Sequence, residues 1–148
     1  MGKKTQYDPA LWQECEQAYA RHGVLCLTLQ DSHGVNVNLL LLARQLDLCG
    51  VWLAPAQWQT LQQQIAHWEQ SLLLPYRQLR RLAKSHLLEA EYQQMLALEL
   101  MLERKSQRLI LHKLNLLTPE GAQPNLSSYL GLFALDAGTY PELSPETA

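Results

Sequence analysis

Three cysteines in 148 residues are too few, and odd in number, for a disulfide framework. No Cys-x-x-Cys occurs, so a zinc ribbon has no ligand pair to start from. Cys15, Cys26 and Cys49 therefore read as reduced, buried thiols, which fits a cytoplasmic protein. Strand formers are also scarce, with two isoleucines, four valines and one phenylalanine. Leucine, glutamine, glutamate and alanine stand in their place and favour helices. The expectation is an all-α protein. No charge of one sign prevails. A net charge of -2 gives no whole-protein field for nucleic acid or a membrane surface. Long apolar runs are missing too. The most apolar stretch, Val37 to Ala56, holds Arg44 and Asp47 and ends at a proline, whereas a membrane span needs about 20 predominantly apolar residues. It reads as a buried helix. The start, MGKKTQYDPALW, has two lysines but no apolar region after them, so no signal peptide is expected.

What is present is an ordinary globular mixture, 47% apolar and 18% charged, with glutamine supplying much of the polar surface. A chain of this length is most simply one domain and can bury roughly two thirds of its unfolded surface. We expect a single-domain bundle of about five to six helices over residues 1–136, with a flexible tail over 137–148.

The helix signals run in order. Asp8-Pro9 suits an N-cap and a first helical position, Leu11, Cys15, Ala18 and Tyr19 form one stripe, and Gly23 ends the helix. Val24 to Leu29 is short and leans helical. The segment LQDSHGVNVNLLLL (29–42) then interrupts an apolar run with polar residues. Asp31 can close an Asx-turn, Gly34 can take a positive φ, and Asn36 can cap a helix from Val37 to about Cys49. Asn38 is left unexplained by this and, if buried, needs partners. Trp58, Leu61, Ile65, Trp68 and Leu72 are spaced as one helical face, and Pro75 bends or restarts the helix. From Tyr76 to Leu117 neither glycine nor proline occurs. One helix of that length would reach about 60 Å, so a hairpin near residues 85–88 is expected instead. Thr118 to Gly121 is a break. Asn125 can cap a last helix with Leu126, Tyr129, Leu130 and Phe133 on its apolar face.

The sharpest chemical feature is PYRQLRRLAK (75–84). Arg77, Arg80, Arg81 and Lys84 recur at i, i+3, i+4 and i+7 and so line one helix face. Folding back near residue 87 would set Lys84 opposite Glu91 and Arg77 opposite Glu99, with Glu103 one turn on. The plain reading is an inter-helix ion-pair ladder or a solvated face. The functional reading is an anion site or an acidic-partner site, since arginine forks suit phosphate and carboxylate. Catalytic patterns are lacking. There is no G-x-S-x-G, no H-E-x-x-H, no phosphate-cradling glycine loop and no paired carboxylate motif for Mg²⁺. The five histidines are scattered. No catalytic residue, cofactor or metal ligand is assigned.

The segments LQDxxGxxVNLLL (29–41), Trp68, PxRxxRRxxK (75–84) and ELxxERxxQ (99–107) together resemble a family of short bacterial proteins of unknown function, found mainly in proteobacteria. Leu11, Trp12, Tyr19 and Gly23-Val24 are similar as well, and the resemblance covers roughly residues 8–135. The family often reads PGV and DVN where this chain has His22-Gly23-Val24 and Asn36-Val37-Asn38. Asparagine at 36 keeps a cap but removes a charge. The resemblance implies a helical cytoplasmic protein with no established activity. It also implies that Asp31, Asn38, Arg77, Arg80, Arg81, Glu99 and Glu103 belong together. The expectation is one polar network or docking patch made of these residues with Lys84.

The functional expectation is a non-catalytic adaptor that binds a protein partner, not yet identified, through the basic stripe or the Trp52/Trp58 region. A homodimer stays open, nucleic acid is disfavoured, and no membrane contact is expected. The alternatives are an enzyme or binder of an anionic or phosphorylated small molecule using the arginines and Glu99/Glu103, and an RNA- or ribosome-associated protein.

Overall fold

The computed structural model describes residues 7–144. Among them the ordered elements are helical, as the shortage of strand formers requires. Asp8 starts the first turn by accepting from the Ala10 N–H at 2.8 Å. Helix α1 then spans Leu11–His33. It does not stop at Gly23. It bends at His22 (φ −122°, ψ 15°) and continues through Val24–Leu29. The true stop is Gly34, left-handed at φ 73°, whose N–H reaches the Gln30 carbonyl while the Val35 N–H reaches Leu29. This double closure needs a residue that tolerates positive φ. Asp31 therefore lies in the last helical turn and closes no Asx-turn.

Helix α2 (Val37–Leu48) is capped by Asn36, whose side chain accepts from the Leu39 N–H. All residues from Leu39 to Arg44 are buried. A helix that is apolar on nearly every side must be surrounded, and α2 packs against α1 and against the last helix. Helix α3 (Pro55–Trp68) passes into a π-helical turn, Glu69–Leu73, and then into α4 (Leu74–Ala83). The wider turn absorbs Pro75, which has no N–H to give. It also rotates the face. Trp58, Leu61 and Ile65 are buried as their spacing predicts, but Leu72 turns outward at 46% exposure and Leu73 takes the core position at 1%.

A 3₁₀ turn at Lys84–His86 and an extended Leu87 reverse the chain into α5 (Glu89–Leu116), so the expected hairpin forms. Helix α4 has no buried residue, and the distal half of α5 buries only Tyr92 before Ser106. This hairpin projects from the bundle. Helix α6 (Asn125–Gly131) packs into the core through Leu126, Tyr129 and Leu130. Asn125 is not its cap. Asp47 of α2 accepts from the Asn125 and Leu126 N–H groups instead. The chain from residue 137 was expected to be loose, yet 3₁₀ turns carry it back onto the core, where Leu143 is 1% exposed and Tyr140 packs. Residues 145–148 of the expected tail lie outside the described residues. Cys15 and Cys26 are buried as expected, whereas Cys49 is exposed at the end of α2. Among the described residues no helix is long and apolar enough to cross a membrane.

Candidate functional site

The hairpin register places basic residues of α4 against acidic residues of α5. Arg77 Nη2 meets Glu103 Oε1 at 2.8 Å, and Arg77 Nε lies 3.5 Å from Glu99 Oε2. Arg80 Nε pairs with Glu99, and its Nη1 donates to the Tyr92 hydroxyl at 3.0 Å. The Glu99 carboxylate is thus shared by both arginines. Tyr76 adds a hydrogen bond from its hydroxyl to the Met95 carbonyl. The four charged side chains keep between 13% and 35% exposure. Half-buried pairs with several hydrogen bonds hold register better than exposed ones. The Glu99 and Tyr92 contacts push the Arg80 pKa up.

A second polar cluster lies where the π turn meets the bundle. Glu69, in the π turn, accepts from Asn36 Nδ2 at 2.7 Å. The Asn36 N–H donates to the Tyr129 hydroxyl, which donates in turn to Gln62. Burial pushes the Glu69 carboxyl above the usual carboxylate range, with Asn36 and Arg77 opposing and Glu103 adding to the rise. Burial pushes the Tyr129 phenol up as well. A hydrogen-bonded chain therefore runs from Gln62 through Tyr129 and the α2 cap to Glu69 in the π turn, and Glu69 feels the charges of Arg77 and Glu103 on the hairpin.

Of the residues expected to converge, Arg77, Arg80, Glu99 and Glu103 do so. Asn38 stands at the margin, with its Oδ1 3.5 Å from Gln107 Nε2. Three stay out. Asp31 is exposed on α1, and its side chain makes no hydrogen bond among the described residues. Arg81 is exposed because a 100° step per residue carries it past the α5-facing side. Lys84 lies over the Tyr92 ring, 5.7 Å from its centre, and does not meet Glu91. Glu91 is occupied with the Leu88 N–H at the start of α5. The Trp52/Trp58 surface does not exist as such. Trp58 is fully buried, 5.4 Å centre to centre from Tyr129, and only Trp52 is exposed.

Sequence reasoning missed Glu69, Gln62, Tyr129 and Tyr92 as polar partners. Their spacing marked Tyr129 as apolar core, and nothing marked the others. A second centre was missed entirely. Asn125, fully buried, accepts from Leu53 N at 2.8 Å and Trp58 Nε1 at 3.1 Å. It donates to Asp47 Oδ1 at 3.0 Å and the Val51 carbonyl at 2.6 Å. The same amide thus ties α2, the loop before α3, and α6 together. Among the described residues no group of three or more His, Cys, Asp or Glu side chains could hold a metal ion.

The outer flanks of the hairpin are apolar. Leu79 and Leu82 on α4 are 54% and 69% exposed, and Leu98 and Met101 on α5 are exposed too. Tyr76, Leu87, Met95 and Leu98 line an open cleft between the two helices, with Glu91 and Gln94 at its edge.

The fold and site define a helical bundle with a projecting, ion-paired hairpin. The chain belongs to the family described as Protein of unknown function (DUF2390), whose model matches residues 10–110. That stretch covers α1 to α4 and most of α5, and it stops before Asn125 and Tyr129. No curated protein and no solved structure matches the chain.

Proposed function

We propose that this protein is a non-catalytic bacterial adaptor of the cytoplasm, which binds a protein partner through the α4–α5 hairpin. The observation that carries the reading is the line of exposed leucines on an element with so little of its own to bury. Apolar side chains clustered outside a core mark binding surfaces more often than scattered ones do. The ion-pair ladder is the scaffold of that surface, since it fixes the angle at which the leucines are presented. Arg81, exposed beside them, supplies a cation at the edge. This differs from docking on the whole basic stripe, because Arg77 and Arg80 are already engaged with Glu99 and Glu103. The same engagement counts against an anionic substrate at those arginines and against RNA. Only Arg81 and Lys84 of the stripe remain outside the ladder.

The test is recovery of partners from the source cell's lysate, with nuclease present, by wild type and by Leu79→Ser/Leu82→Ser. Both side chains are exposed, so the double variant should melt within a degree or two of wild type. A protein held in stoichiometric amount by wild type and lost by the variant supports the reading. Equal recovery by both, or nothing recovered by either, removes it in favour of a small-ligand role.

A further inference from the structure

Helix α5 carries two stripes of helical spacing. One, through Tyr92, Glu99, Glu103 and Ser106, is turned toward α4 and the bundle. The other runs beside it through Glu91, Met95, Leu98, Leu102, Lys105 and Leu109, spaced 4, 3, 4, 3 and 4. That is the heptad spacing of a seam that takes a second helix. Within the chain this seam is only partly covered. Leu98 is 42% exposed and Leu109 38%. Met95 and Leu98 line the open cleft beside α4. At the foot of the hairpin Leu109 lines a cavity of about 280 Å³ with Leu61, Ile65 and Ile110. The tip of the hairpin presents Leu88, 73% exposed. Charge is segregated along the same helix. Its first turn holds Glu89 and Glu91, and its second half holds Arg104, Lys105 and Arg108. All five are exposed, and none takes part in an ion pair among the described residues. Glu89 and Glu91 use one oxygen each, for Gln93 and for the Leu88 N–H, and the other oxygen is free.

We propose that a second copy of this chain packs antiparallel along the seam, with the two-fold axis at Leu98. Only that direction brings the acidic end of one α5 to the basic half of the other. The axis sets residue 91 against residue 105, and residue 89 against residues 107 and 108. Glu91 then meets Lys105 and Glu89 meets Arg108, each pair twice by symmetry. A parallel pair would oppose Glu91 to Glu91 and Lys105 to Lys105. The same axis carries residue 88 of one copy to the level of residue 108 in the other. There Leu88 reaches the cavity that Leu61, Ile65, Leu109 and Ile110 line. Each copy offers a leucine and receives one, as a self-complementary interface requires. The inference rests on the reading of the hairpin as a binding surface and names a second copy as the occupant of its α5 side.

The test is sedimentation equilibrium of the full chain, at low and high salt, with circular dichroism as the check of folding. Wild type is expected to dimerise, and more weakly at high salt. Leu98→Glu sets two carboxylates against each other at the axis and should give a folded monomer. Glu91→Lys and Lys105→Glu, each alone, oppose like charges and should weaken the dimer roughly tenfold or more. Mixed in equal amounts, these two variants recover both pairs in a heterodimer, so the mixture should associate as wild type does. Both positions are exposed, and the mixture carries the comparison if Leu98→Glu fails to fold. A wild type that stays monomeric at every concentration overturns the proposal. So does a dimer that Leu98→Glu leaves intact, or a mixture no tighter than its components. The adaptor reading fails separately. A monomer whose capture of a partner still depends on Leu79 and Leu82 removes the dimer alone. A dimer that obeys the charge exchange supports the inference even where Leu79→Ser/Leu82→Ser captures the same proteins as wild type.

Discussion

Replacing Asn125 by alanine removes an amide whose two ends are both fully used. The two donors that lose their acceptor, Leu53 N and Trp58 Nε1, belong to residues with no exposure at all, so water cannot replace the carbonyl oxygen. Each such orphan costs about 1–3 kcal/mol, or about 2–6 kcal/mol for the pair. The Val51 carbonyl is half-buried and can turn to solvent. Asp47 keeps its bonds to the Asn125 and Leu126 N–H groups, which alanine retains or does not touch. A loss of about 3–5 kcal/mol follows, a large part of the 5–15 kcal/mol typical of a domain. Urea unfolding followed by circular dichroism measures it. A loss below about 1 kcal/mol with an unchanged slope would refute the reasoning, because the buried donors would then have found other partners. Asn125→Asp sharpens the test. It keeps the acceptor but turns an oxygen toward Asp47 Oδ1 and the Val51 carbonyl, where the wild type has donors. The new carboxyl is held up in the folded state by Asp47 and by burial. The variant should be least impaired at low pH and should lose stability as pH rises. An opposite slope would mean that burial and Asp47 do not hold the new carboxyl up, and would contradict this account of the site.

Gly121→Ala should destabilise by roughly 1–3 kcal/mol, since a Cβ there would lie 2.6 Å from the Trp52 and Leu53 backbone; an unchanged Tm would contradict that close approach. Glu69 has a folded pKa above its unfolded one, so its contribution to stability is present at low pH and diminishes as pH rises through the folded value. Glu69→Gln keeps an acceptor for Asn36, and its stability relative to wild type should therefore grow as pH rises above about 4.3; parallel pH profiles would remove burial as the cause. Asp31→Ala should leave Tm unchanged or slightly higher, because an exposed carboxylate in a last helical turn opposes the dipole by about 0.3–1 kcal/mol. A loss of more than 1 kcal/mol would restore the Asx-turn that the sequence suggests.

Composition and spacing alone determined a good deal. The lack of strand formers made the chain helical, Asn36 marked the start of α2, and an uninterrupted stretch too long for the domain forced a reversal near residue 87. The charges of α4 and α5 were legible because helical periodicity converts spacing into facing pairs, as Arg77 and Glu99 show. Other features depend on groups far apart in the chain. Gly23 looks like a stop, but packing of α1 on α2 carries the helix past it to Gly34. Leu72 fits the stripe, but a π turn moves Leu73 into its place. Asn125 reads as a cap, yet Asp47, 78 residues earlier, takes that role and frees the amide for the core. Glu69, Tyr129 and Arg44 have no local signature, because burial and the identity of their neighbours alone define them. Local physics selects helices and their faces; only tertiary packing decides which polar groups are taken out of water and what they then meet.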